Sequence, residues 1–181
     1  MVTRWQLGSC QSPQGVRHLP QANDLRTTSP IREHIVKTVA ELLREKANHA
    51  VVTVSPDSSV FDAIKTMADR SIGAVVVVEG DVVLGMLTER DYARKIVLQD
   101  RSSRTTKVRD IMTDSVYYVS PTDTREHCMA MMTERHFRHL PVIDNDKLIG
   151  LLSIGDLVKD VMSEQKFIIH ELERYITGER G

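Results

Sequence analysis

Two short stretches carry a hydroxyl and a carboxylate at the same spacing. GMLTERD at 85–91 and GLLSIGD at 150–156 share a glycine, two large apolar residues, a hydroxyl and, three residues on, an aspartate. Thr88 or Ser153 can donate to a phosphate oxygen, and Asp91 or Asp156 can accept from the two hydroxyls of a ribose. The same pattern also suits a helix start, with a hydroxyl N-cap and an acid in the first turn. The two roles are compatible, because an N-cap can exchange its partner for a phosphate.

Other chemistries find little footing. There is no GxSxG elbow, Walker loop or HExxH motif. Asp91 and Asp156 lack an obvious partner that would make one an acid and the other a base. His136 and His139 stand three apart in HFRH but have no nearby third ligand for a metal. Cys10 and Cys128 are far apart and form no CxxC pair. The chain is therefore read as non-enzymatic and metal-free.

The elements that carry these residues repeat. Shifted by 65 positions, 51–97 falls on 116–162 without a gap: Val54-Ser55-Pro56 on Val119-Ser120-Pro121, Met67 on Met132, Asp91 on Asp156. A leading segment matches at a shift of 69, TVAELLR at 38–44 against KVRDIMT at 107–113. Hydrophobic spacing predicts helix, strand, helix, strand, strand, helix in each unit. One such unit cannot bury both faces of a three-stranded sheet, whereas two stacked by a pseudo-twofold can. The expected division is a disordered or loosely ordered tail at 1–33, units at 34–98 and 108–162, a linker at 99–107, and a C-terminal helix and tail at 163–181.

Composition narrows the class. The 181 residues are 41% hydrophobic and 27% charged, with net charge −1, which fits a soluble globular protein without a bulk pull toward nucleic acid or anionic lipid. Aromatics at 4% argue against a base-stacking platform. The apolar run at 74–78 is far short of the roughly 20 residues that span a bilayer. Within residues 1–30, Arg4, Arg17 and Arg26 stand against Asp24 alone. This touches a transit-peptide composition, so the expected compartment is the cytoplasm, with the mitochondrial matrix as the alternative.

With the repeat in place, residues 36–163 resemble the CBS-domain pair, or Bateman module, of the short stand-alone type. The marks are Ser-Pro after a strand, RHLPVID at 138–144, and the two glycine-to-aspartate stretches. The resemblance implies an α+β fold of tandem pseudo-twofold repeats, each β-α-β-β-α with a preceding helix, packed through their sheets. It implies an adenosine-containing nucleotide (AMP, ADP, ATP or NAD(H)) in the cleft between repeats, with Thr88, Asp91, Ser153 and Asp156 as ribose and phosphate contacts. Arg138 and His139 are implied as phosphate ligands of the second site, and Ile111, Met112 and Thr113 as its adenine pocket, against plain core packing. The corresponding Gly73 and Ala74 leave the first site without the basic pair. Arg90 and Arg94 either compensate or form a solvated face. Of Tyr117 and Tyr118, at most one can face a cleft.

The apolar residues Phe167, Ile168, Ile169, Leu172, Tyr175 and Ile176 imply packing back on the module or a second chain, and a homodimer is expected. The function implied is a non-catalytic sensor that passes ligand state to an unidentified regulated protein. The alternative is a constitutive interaction scaffold with vestigial clefts.

Overall fold

A computed structural model describes residues 16–17, 37–46 and 50–177, the first pair by backbone alone. The first unit comprises β2 (Thr53–Val54), α2 (Val60–Arg70), β3 (Ala74–Glu79), β4 (Val82–Thr88) and α3 (Glu89–Lys95). The second comprises β5 (Val116–Tyr117), α4 (Arg125–Arg135), β6 (His139–Asp144), β7 (Lys147–Ser153) and α5 (Ile154–Thr177). Preceding both are β1 (Val16–Arg17) and α1 (Val39–Glu45). The tail expected to be disordered at 1–33 lies outside the described residues, except that β1 pairs in parallel with β5.

The repeat is kept down to single hydrogen bonds. β2 pairs in parallel with β3, and β3 antiparallel with β4. In the second unit β6 pairs antiparallel with β7, and a single parallel bridge from Val119 to Val142 stands where β2 stood. Each hairpin shifts register at the same place, between Val77 and Val78 and between Val142 and Ile143. A glycine stands on the facing strand in each, with backbone close at Gly85 and a side-chain end close at Gly150. A Cβ on Gly85 would lie 2.5 Å from the Thr113 carbonyl oxygen, and one on Gly150 would lie 2.7 Å from Leu43 Cδ1.

The leading segments cross over. Val39 and Leu42 of α1 pack with Val119, Cys128, Met131, Leu140, Leu152 and Leu157 of the second unit. Val108 and Ile111 pack with Val60, Met67, Val77, Leu87 and Ile96 of the first. Each unit therefore completes its core with the segment that precedes the other. A third cluster, Ala74, Met86 and Val116, joins the two.

One expected helix is not formed. The segment at 107–113 was expected to mirror α1, but only a 3₁₀ turn, Val108–Asp110, is present. The offset between repeats drops from 69 to 65 here, so four fewer residues separate this segment from its strand. Thr113 must already be extended, because its N–H and C=O pair with Met86 at 2.8 and 2.9 Å. The C-terminal helix does not start at 163 either. It runs unbroken from the second junction as α5, 24 residues long.

Candidate functional site

Both junctions are capping boxes. Thr88 Oγ1 accepts from the Asp91 N–H, and the Thr88 N–H donates to Asp91 Oδ2 at 3.1 Å. Ser153 and Asp156 repeat this, with the Ser153 N–H donating to Asp156 Oδ2 at 2.8 Å. Each aspartate also faces a lysine. Lys95 Nζ lies 2.9 Å from Asp91 Oδ1 and donates to the Ile111 carbonyl. Lys46 Nζ lies 2.8 Å from Asp156 Oδ2 and donates to the Leu151 carbonyl. The spacing of Lys95 from Asp91, one helical turn, was legible in sequence, whereas Lys46 comes from 110 residues away.

Two clefts result. Cleft one, of about 630 Å³, lies between the units. The first unit contributes Met86, Thr88, Glu89, Arg90, Asp91 and Arg94. The second contributes Thr113, Val116, Tyr117, Phe137, Arg138, His139 and Ser153. Tyr117 and Phe137 stack at 5.6 Å between ring centroids, forming an aromatic wall, and Arg135 lies over Tyr117. Thr113 Oγ1 donates to Asp91 Oδ1 at 3.2 Å. Arg90 reaches across to the His136 carbonyl at 2.8 Å. Burial and the neighbouring Lys46 and Arg138 charges hold the His139 imidazole below its ordinary range, against the pull of Asp156.

Cleft two, of about 670 Å³, is lined by Lys37, Glu41, Leu42, Lys46, Asp156, Lys159 and Asp160 among others. Arg125, with its side chain 11% exposed, binds Asp160 at 2.8 Å and also Glu164, and Lys37 reaches the same Asp160. Burial pushes the Asp156 carboxyl up, but the Lys46 ammonium and the Ser153 donors outweigh it and hold the carboxyl below its usual range. Among the described residues, no group of three or more His, Cys, Asp or Glu side chains is placed to hold a metal ion, and no helix is long and apolar enough to cross a membrane.

The CBS domain family matches residues 36–98 and 108–163. The chain belongs to this family. CBS domains are regulatory rather than catalytic, and pairs of them often bind nucleotides. This CBS pair is 39% identical over 149 residues to the CBS domain-containing protein CBSX3, mitochondrial, of Arabidopsis thaliana, covering 78% of this chain and 72% of the relative. A protein with CBS domains from Burkholderia ambifaria superposes with a TM-score of 0.69 at 54% identity, over 71% of this chain and 96% of that one. The CBS domain pair of protein MJ0100, in complex with 5′-methylthioadenosine and S-adenosyl-L-methionine, shares the fold with a TM-score of 0.63 at 18% identity, over 71% and 98%.

Within the CBS pair, the grouping of site residues differs from the expected one. Arg138, His139 and Thr113 line cleft one with Thr88 and Asp91, and His139 also lies close enough to Asp156 to feel its charge. The crossover is the reason. Because Thr113 pairs with β4 of the first unit, it is delivered to the first junction and not to the second. Ser153 stands at the border and lines cleft one, while Asp156 turns into cleft two. Ile111 is 1% exposed in the first unit's core, and Met112 packs against that core, so neither lines cleft one. Arg90 and Arg94 line cleft one and add to Arg138, so the Asp91 junction is the one with basic partners. Tyr117 is the tyrosine that faces the cleft. Sequence did not reveal the Lys37–Asp160–Arg125 cluster, whose members lie up to 123 residues apart.

Proposed function

We propose that this CBS pair is a non-catalytic regulatory module that takes an adenosine-containing nucleotide (AMP, ADP, ATP or NAD(H)) in cleft one. The observation that carries this is the convergence of Thr88 and Asp91 from one unit with Thr113, Arg138 and His139 from the other in a single cavity. Asp91 accepts from the ribose hydroxyls, releasing Thr113 or Lys95. The arginine forks of Arg138, Arg90 and Arg94 hold phosphate oxygens, with His139 and Thr88 adding donors. The base lies by Thr113, Val116 and the Tyr117–Phe137 wall. Occupancy draws the units together and biases a surface that a regulated protein reads, with a homodimer as the working assembly. The fold accommodates adenosine-bearing ligands in MJ0100. A cytoplasmic setting is proposed, with the mitochondrial matrix as the alternative that the name of the Arabidopsis relative keeps open.

Cleft two supports a second reading. Lys37, Arg125, Asp160 and Glu164 in it already pair with one another, as expected of a scaffold whose cleft needs no ligand.

The test is a thermal-shift panel with AMP, ADP, ATP, NAD, NADH and S-adenosylmethionine on the wild type and on Asp91→Asn and Asp156→Asn. A ligand at 100 times its dissociation constant adds about 2.7 kcal/mol if it binds only the folded state. A shift lost in Asp91→Asn and kept in Asp156→Asn supports sensing at cleft one. A flat panel on folded protein supports the scaffold.

A further inference from the structure

α5 presents two stripes. Leu157, Asp160 and Glu164 face the body of the protein, where Leu157 is buried and the two acids meet Arg125. About 100° around the helix runs a second stripe: Val158, Met162, Gln165, Ile169, Leu172 and Ile176. These alternate steps of four and three residues, the spacing of a coiled-coil seam. Its five apolar members are between 44% and 81% exposed, and Gln165 is exposed as well. Single exposed apolar residues need no explanation, but a continuous seam along a helix about 36 Å long does.

We propose that this seam is a contact surface for a second copy of the chain, with the two α5 helices packed antiparallel. The flanking residues choose both occupant and direction. With Met162, Ile169 and Ile176 at a and Val158, Gln165 and Leu172 at d, position g holds Val161, Ile168 and Tyr175, and position e holds Lys159, Lys166 and Glu173. Parallel helices bring g against e, which sets Val161 on Lys166 and Ile168 on Glu173. Antiparallel helices bring g against g and e against e. Val161 then meets Tyr175 of the second copy, Ile168 meets Ile168, and Lys159 meets Glu173 twice by symmetry. The cost is Lys166 facing Lys166 at a hydrated rim. A twofold contact requires this self-complementarity, residue i meeting j and j meeting i.

This surface deepens the dimer part of the reading above and is independent of nucleotide binding. The test is analytical ultracentrifugation of the full chain across a wide concentration range. The wild type is expected to dimerise, and Leu172→Asp to weaken the dimer by roughly tenfold or more with unchanged circular dichroism. Lys159→Glu and Glu173→Lys each weaken it severalfold, and the double reversal restores it. A monomer at all concentrations, or a dimer indifferent to Leu172→Asp, overturns the surface. Failure of the double reversal overturns the antiparallel direction. The nucleotide panel, repeated on Leu172→Asp, reads the cleft separately.

Discussion

Lys46 Nζ sits 2.8 Å from Asp156 Oδ2, on the same oxygen that accepts from the Ser153 backbone. One carboxylate thus caps α5 and ties α1 to the second unit, although Lys46 belongs to the segment preceding the first. The cap, the crossover and cleft two share one ionisable group, so acid should loosen all three together. Burial raises the Asp156 carboxyl and its donors lower it further, for a net depression. Its stabilisation is present above the ordinary carboxylate range and is lost as pH falls through the depressed folded value. Lys46→Met is expected to raise the pH midpoint of acid unfolding. The loss at neutral pH is about 1 kcal/mol or less, because both side chains are about a quarter exposed. Acid titration followed by circular dichroism checks this, and an unchanged midpoint would remove Lys46 as the cause.

His139 adds a dependence at higher pH. Its folded value is depressed by burial and by Lys46 and Arg138, so the unfolded chain binds the proton more readily. Stability is full above the ordinary histidine range and falls as pH drops through it. Urea midpoints measured from neutral to mildly acidic pH should decline less steeply in His139→Gln than in the wild type. Parallel slopes would exclude the imidazole.

The Asp160 cluster is a buried network, with Asp160 9% and Arg125 11% exposed at the side chain. Asp160→Ala strips Lys37 and Arg125 of a shared partner, while Glu45 and Glu164 stay paired with them, and should cost about 2 kcal/mol by chemical denaturation. Changing both Arg125→Met and Asp160→Leu should cost less than Asp160→Ala. The first unit carries Val60 and Lys95 at the corresponding positions, with Val60 wholly buried in its core. Equal losses for the single and double variants would show that packing dominates.

Gly85 and Gly150 occupy the same repeat position but should not respond alike. The Gly85 Cβ meets main chain, the Thr113 carbonyl at 2.5 Å, and so must displace the Thr113 segment that lines cleft one. The Gly150 Cβ meets the end of the Leu43 side chain at 2.7 Å, which can rotate. Gly85→Ala is expected to cost about 2–3 kcal/mol and Gly150→Ala about 1 kcal/mol. Melting temperatures of the two variants rank them, and a reversed order would refute the backbone clash.

Arg138→Ala should weaken nucleotides and leave adenosine itself nearly unaffected, because the side chain offers a donor fork to phosphate and nothing to the base. Competition binding with AMP and adenosine reads the difference. Equal weakening would place Arg138 in a structural role.

The repeat, the helix stripes and both capping boxes were legible in the sequence because each rests on neighbours within a few residues. Thr88 caps Asp91, and Ser153 caps Asp156, over three positions. Such contacts follow from local backbone geometry and survive any arrangement of the units. Cys128 lies in the second unit's core, with its thiol pushed up to about 12 by burial. The partners of those junctions were set differently. Which aspartate meets Thr113, Arg138 and His139 depends on which unit each leading segment completes. That choice is made by packing Val39 and Leu42 into one core and Val108 and Ile111 into the other. Both arrangements have the same local pattern and bury similar side chains, so one-dimensional spacing cannot separate them. The four missing residues before β5 stand in the sequence, but only the tertiary structure, through the pairing of Thr113 with Met86, decided which residues share a cleft.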